Sequence, residues 1–355
     1  MSQPTVLNRS CGPVGYGLMG LTWRKDPPAF SDSIPVMKRA LELGADNWNG
    51  GELYGTPEKN SMHLLREYFL KYPEDADKVI LCIKGGLDKG KLSPNSSPEN
   101  VRRSVEDSLK PLQGTKKEKI DIFECARVDP QRGNESAIRT LANLVKEGKI
   151  GGIGLSEVGV KTIRESHKLA KELGVDIASV EVEISLWCPD PFNNGILAAC
   201  AELGIPVFAY SPLARGQISD KPIRKNADLL EGDIRKLLPK YQDDVLEVNN
   251  RITDAAIEIA KKKGVTTAQV AIAWVKGQTG RTRNVALDAS GETRKDVKLG
   301  TIIPIPGASS VGRVEENFKN VVLTEEELKE LDELVESYPA QGDRYHAHGQ
   351  HLING

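Results

Sequence analysis

Helical patterns that stop at a glycine and hand over to a short apolar run recur along this chain. Glu42-Leu43-Gly44, Glu172-Leu173-Gly174 and Glu202-Leu203-Gly204 each close such a helix, and glycine suits the left-handed position after a helix end. Gly148 closes another, whose Ile138, Leu141, Leu144 and Val145 share one face. Ser97-Pro98-Glu99 opens one, as an N-cap followed by proline in the first turn. The runs predicted as strands, 120–126, 150–155, 176–182 and 205–210, are too apolar for a sheet face open to water. They suit parallel strands covered on both faces.

Strand patterns near residues 46, 80, 121, 151, 178, 206 and 301, with residues 14–18 at the start, make eight with helices between them. That is the count of a single α/β (β/α)8 TIM barrel spanning residues 1–355. A doubly wound sheet with a second domain is the competing architecture, but no shift in composition divides the chain. Residues 277–300, rich in Gly, Thr, Arg and Asp, read as a mobile surface loop inserted before the last strand, and 339–355 as a C-terminal tail.

Composition narrows the function. Basic and acidic residues nearly balance, 48 against 50, and no basic stripe suggests nucleic acid. No apolar stretch reaches the roughly 20 residues of a membrane span, and no secretory leader is evident. The chain therefore reads as soluble and cytoplasmic. Its five cysteines, Cys11, Cys82, Cys125, Cys188 and Cys200, show no C-x-x-C spacing and read as reduced structural thiols. His63 and His167 sit in helical patterns as surface or packing residues. His346, His348 and His351 crowd a polar tail with no cysteine or carboxylate cluster beside them, so no metal is expected. The tail reads as disordered, with a cover over a pocket as the alternative.

Gly15-Tyr16-Gly17-Leu18-Met19-Gly20 matches the G-x-G-x-x-G dinucleotide fingerprint. That motif works only where its last glycine opens a helix, and the following Leu21-Thr22-Trp23-Arg24-Lys25-Asp26-Pro27-Pro28 cannot supply one. More telling are Tyr54 and Lys84, each where a predicted strand runs out. A phenol beside an ammonium can donate a proton to a carbonyl.

These residues, with Phe208-Ala209-Tyr210-Ser211-Pro212-Leu213-Ala214-Arg215-Gly216 and the run from Ile303 to Asn317, resemble the aldo-keto reductases. Trp48-Asn49-Gly50-Gly51-Glu52 and Glu124-Cys125-Ala126-Arg127-Val128-Asp129 are most similar to the fungal pyridoxal reductase branch. The resemblance implies NADPH held across the C-terminal mouth of the barrel and hydride passed to a small aldehyde, with pyridoxal the leading substrate. It implies that Tyr210 stacks on the nicotinamide and that Ser156 and Glu181 hold its carboxamide. Ser211, Leu213 and Gly216 would line the pyrophosphate, Arg313 with Ser309 and Ser310 the 2′-phosphate, and Glu316 and Asn317 the adenine; Met19 and Arg215 complete the cofactor set. Another aldehyde or a sugar as substrate, or a nucleotide-binding regulatory subunit with vestigial turnover, are the alternatives.

The departures matter too. The family's tetrad is Asp, Tyr, Lys and His, but Asn49 stands for the Asp and Ala126 for the His. Ser156 is followed by Glu157 rather than Asn, and Glu181 replaces Gln. A buried Lys84 without a counter-ion would cost several kcal/mol. Strand side chains alternate, so Glu124 shares the inward face with position 126 and is the expected replacement carboxylate. Tyr54, Lys84, Asn49 and Glu124 are thus the expected catalytic group.

Overall fold

The computed structural model describes residues 3–89 and 91–355, without the side chain of His348. The predicted glycine stops are present, with Gly44, Gly148, Gly174 and Gly204 all at positive φ. Ser97 caps the helix Pro98–Leu109 by accepting from the Asn100 N–H. Eight parallel strands follow the predicted runs within one or two residues: β1 Tyr16–Gly17, β2 Asn47–Gly51, β3 Ile80–Gly85, β4 Ile120–Cys125, β5 Ile150–Ser156, β6 Ile177–Glu183, β7 Val207–Tyr210 and β8 Ile302–Pro304. They pair in sequence order, and a bridge from Gly17 to Gly307 brings the first and last strands together. This is a (β/α)8 barrel.

Strand alternation separates two cores. Outward residues pack under the helices in the larger apolar cluster. Inward residues at the lower end, among them Ile80, Cys82, Ile122, Ala178, Phe208 and Ile303, form a dry plug. The N-terminal hairpin Thr5–Val6 and Arg9–Ser10 supplies Val6 to that plug. Above it the inward positions become polar, at Asn49, Lys84, Glu124 and Glu181, all buried. Among the described residues no helix is long and apolar enough to cross a membrane.

Residues 277–300 differ from the expected loop. They contain an antiparallel hairpin, Thr282–Ala286 paired with Arg294–Lys298. Val285 and Ala286 are buried, and Arg294 donates to Asn193 at 2.9 Å. The segment is also tied to the helix Glu325–Ser337 through Asp332. That carboxylate lies 2.7 Å from Arg281 and 2.6 Å from Arg283 and accepts from the Trp274 indole at 2.8 Å.

The tail is ordered as well. Asn249 exchanges two hydrogen bonds with the backbone of Gln341, and Arg344 is only 3 % exposed. Composition suggested disorder because 339–355 lacks an apolar face; buried carboxylates elsewhere in the chain hold it instead. Of its histidines, His346 and His351 are exposed, whereas the His348 side chain lies outside the described residues.

Asp332 meets two nearly buried guanidiniums whose other partners, Glu325 and Glu336, are exposed, so Asp332→Ala should destabilise the fold by about 3–5 kcal/mol. A urea midpoint within error of the parent would contradict this account of the hairpin.

Candidate active site

Tyr54 lies just past β2, in a turn that folds its ring back over the strand end. A Cβ on Gly51 would stand 3.1 Å from that ring, tighter than an ordinary contact, so glycine eases the close approach. The phenol is 8 % exposed and its outer face is covered by Trp23, with ring centroids 5.4 Å apart and planes 26° from parallel. Burial pushes the Tyr54 phenol up to about 12; the Lys84 ammonium pulls it down, and Glu181 and Glu124 push it further up. The phenol therefore holds its proton at neutral pH.

Lys84 ends β3 with its ammonium 6.0 Å from the centre of the Tyr54 ring. In register, Lys84 faces Glu124 of β4, and Glu124 faces Gly154 of β5. A Cβ on Gly154 would come within 2.8 Å of a Glu124 carboxyl oxygen, so the absent side chain makes room for that group. The ammonium is 3.0 Å from Glu124 Oε1 and 2.5 Å from Glu181 Oε1. It donates to Asn49 Oδ1 at 2.8 Å, and Asn49 Nδ2 donates to Glu181 Oε2 at 2.6 Å. An ammonium only donates and a carboxylate only accepts, which fixes the amide orientation.

Glu181, expected at the nicotinamide carboxamide, has one oxygen on Lys84 and the other on Asn49. It is the closer of the two carboxylates to the ammonium. Glu124 is within ion-pair distance, yet neither of its oxygens makes an aligned hydrogen bond. Close approach without alignment gives weak stabilisation. Burial first, and then Glu181, raise the Glu124 carboxyl well above its ordinary range, against the pull of Lys84. Two carboxyl groups this close cannot both ionise cheaply in a dry interior. For Lys84 burial opposes the charge, but Glu181, Tyr54 and Glu124 together outweigh it and the ammonium persists. Cys82, Glu124 and Glu181 bring potential metal ligands within 4.8 Å of one another; the Lys84 ammonium already supplies the positive charge there.

Around the mouth, Ser156 is buried with its hydroxyl unpartnered among the described residues. Tyr210 ends β7, and its hydroxyl accepts from Arg344 at 2.6 Å and lies 3.1 Å from the Tyr345 hydroxyl. In the loop after β7, Ser211, Ala214, Arg215 and Gly216 all have positive φ; Leu213 is partly buried. Arg215 reaches Glu183 at 3.2 Å. On the facing rim, Ser310 caps the helix Val311–Asn317 and Ser309 accepts from Arg24. Arg313 there is exposed and Glu316 half-buried, while Asn317 donates to the Gly307 carbonyl. Met19, beside the mouth, is 49 % exposed.

Sequence reasoning missed Trp23, Arg344 and Tyr345, and saw Arg127 only as part of a motif. Trp23 carried a usable signal, an aromatic in an otherwise polar loop. Arg344 donates to Glu183 at 3.0 Å and to Glu157 at 2.8 Å, contacts across more than 160 residues that leave no local pattern.

If Lys84 draws on both carboxylates, either one suffices when the other is neutralised. Glu124→Gln, which mimics the protonated acid, should cost turnover least, and Glu181→Gln more because Asn49 also loses an acceptor. The double variant should fall by up to about 100-fold beyond the product of the singles. A Glu124→Gln enzyme as impaired as the double would make Glu124 the sole counter-ion. The titration also affects stability. A carboxyl held at about 8 in the folded chain binds a proton that the unfolded chain has lost, so stability should fall as pH rises from about 4.5 to 8. Glu124→Gln should flatten that slope in urea titrations.

An aldo/keto reductase family model matches residues 13–336. Two fungal relatives have names carrying the words pyridoxal reductase. One, from Schizosaccharomyces pombe, is 35% identical over 350 residues, covering 96% of this chain and 97% of the relative. The other, from Saccharomyces cerevisiae, is 36% identical over 349 residues, covering 93% and 95%. Among solved structures, a glycerol dehydrogenase from Gluconobacter oxydans superposes with a TM-score of 0.77 at 22% identity, covering 96% of both chains, a likeness of fold. Family model, relatives and barrel agree: this chain belongs to the aldo/keto reductase family.

Proposed function

We propose that this chain is an NADPH-dependent carbonyl reductase that converts pyridoxal to pyridoxine, with Tyr54 as proton donor. The observation that carries the proposal is a protonated phenol beside a buried ammonium that is itself held by Asn49, Glu181 and Glu124. The two relatives named as pyridoxal reductases support the substrate. Five buried free thiols suit the reducing conditions of the cytoplasm.

The mouth fits a reduced dinucleotide. Ser156 offers a buried, unpartnered hydroxyl suited to a carboxamide, and Tyr210 offers an aromatic ring nearby. The left-handed backbone at Ser211, Ala214 and Arg215 stores strain of the kind that collects at binding sites, and Arg313 presents an exposed guanidinium suited to a phosphate. Met19, Leu213, Arg215, Ser309, Ser310, Glu316 and Asn317 would complete the contacts. When bound, the reduced nicotinamide supplies hydride to the carbonyl carbon.

The protein's own residues manage the proton. As negative charge develops on the carbonyl oxygen, Tyr54 donates its phenolic proton to it. Lys84 stabilises the phenolate left behind, and Glu181 with Asn49 holds the ammonium in place. Glu124, kept neutral by burial and by Glu181, avoids adding a second negative charge that would oppose loss of the phenol proton. Trp23 shields the phenol from water.

The direct test is loss of NADPH absorbance with pyridoxal and a panel of other small aldehydes and sugars. Binding without turnover on any of them would favour a regulatory subunit. Tyr54→Phe keeps the ring but removes the acid; kcat should fall by about 100-fold or more while NADPH affinity persists. Near-normal kcat would place the proton donor elsewhere. Arg313→Ala removes a charge-assisted contact, so the preference for NADPH over NADH should shrink roughly 10–100-fold. Unchanged NADPH affinity would show that Arg313 does not meet the 2′-phosphate.

A further inference from the structure

Three guanidiniums, those of Arg127, Arg215 and Arg344, converge on the Tyr345 ring at the barrel mouth, but only two of them are neutralised. Arg344 pairs with Glu157 and Glu183, and Arg215 shares Glu183. Arg127 is the third. It follows Ala126 immediately after β4, and its side chain donates to the Ala126 carbonyl at 2.6 Å. It lies 3.5 Å from the Tyr345 hydroxyl, with its guanidinium 5.9 Å from that ring's centre. Among the described residues no carboxylate lies within ion-pair distance of it. Glu157, the carboxylate whose field it feels, is already engaged by Arg344.

Arg127 stands at the barrel mouth: the Ala126 N–H before it donates to the carbonyl of Gly85, one residue past Lys84, and its guanidinium and the Tyr210 hydroxyl meet the same Tyr345 hydroxyl. Its positive charge favours loss of the Tyr54 proton. A partly buried guanidinium with an unfilled hydrogen-bonding fork, beside a proton donor, is a site for an anionic oxygen close to the reacting carbonyl. A hydroxyl ortho to an aldehyde on a pyridine ring, ionised to an oxyanion, has that relation. Ala126 leaves no bulk beside it.

We propose that Arg127 is a substrate-anion subsite, taking the oxyanion ortho to the aldehyde of a 3-hydroxypyridine-4-carbaldehyde while Tyr54 takes the aldehyde oxygen. The inference rests on the carbonyl-reductase reading and assigns its substrate selectivity to a residue outside the tetrad. Such a substrate is held at two oxygens with different roles, one protonated during reduction and one unchanged. A neutral aldehyde without the hydroxyl finds only the first.

The experiment compares kcat/KM for 3-hydroxypyridine-4-carbaldehyde and for pyridine-4-carbaldehyde, in the parent and in Arg127→Met and Arg127→Lys, with NADPH affinity followed by protein fluorescence. The parent should prefer the hydroxylated ring. That preference should shrink roughly 10–100-fold in Arg127→Met and recover in part in Arg127→Lys, with NADPH affinity unchanged. If Arg127→Met is poorly folded, the loss of preference in Arg127→Lys relative to the parent carries the test. A preference unchanged in the variants overturns the proposal, as does a loss that follows weakened NADPH binding, which would make the cofactor the anion. A parent that reduces both aldehydes equally well leaves the reductase reading standing and removes the subsite. A parent that reduces neither aldehyde nor pyridoxal overturns both.

Discussion

A lysine ammonium buried above a dry barrel core must be neutralised, and the active site is organised around that requirement. Lys84 sits at the boundary between the apolar plug and the open mouth, where desolvating an uncompensated charge costs several kcal/mol. The barrel meets the cost from three other strands. Asn49 on β2 accepts a hydrogen bond, Glu124 on β4 stands opposite in register, and Glu181 on β6 closes from across the interior. Two carboxyls and one ammonium are balanced by one retained proton, so the group can be neutral while Lys84 stays charged. In the proposed reaction Tyr54 draws on that charge to release its own proton.

The same constraint extends outward. Glu157 and Glu183 at the ends of β5 and β6 would be costly alone. Arg344 from the tail and Arg215 from the loop after β7 neutralise them, and burial, which would raise the Glu183 carboxyl, is outweighed by these two guanidiniums. The tail is therefore held to the barrel by buried charge rather than by an apolar face. Arg344 and Tyr345 meet the hydroxyl of Tyr210, which connects the tail to the proposed nicotinamide site.

Much of the architecture was legible because glycine stops and apolar runs are local signals. The approach of Glu124 to Lys84 was legible from alternation along β4, counted from position 126, whose face is the interior in a barrel. Glu181 was not, because its approach to Lys84 is a matter of barrel closure, and the resemblance suggested a cofactor role for it instead. The hairpin at 282–298 was obscured by its polar strands, whose ordering comes from Asp332 and from packing of Val285. Arg344 was hidden for a similar reason, since only the folded barrel assembles the carboxylates it meets.

The central claim is that Glu124 retains a proton beside Glu181 while Lys84 remains an ammonium. Infrared difference spectroscopy of the parent against Glu124→Gln at neutral pH measures this directly. The account predicts a carboxylic-acid C=O band in the parent that vanishes in the variant and titrates away at alkaline pH. A difference spectrum with only carboxylate bands at neutral pH would contradict it, showing both glutamates ionised around the lysine.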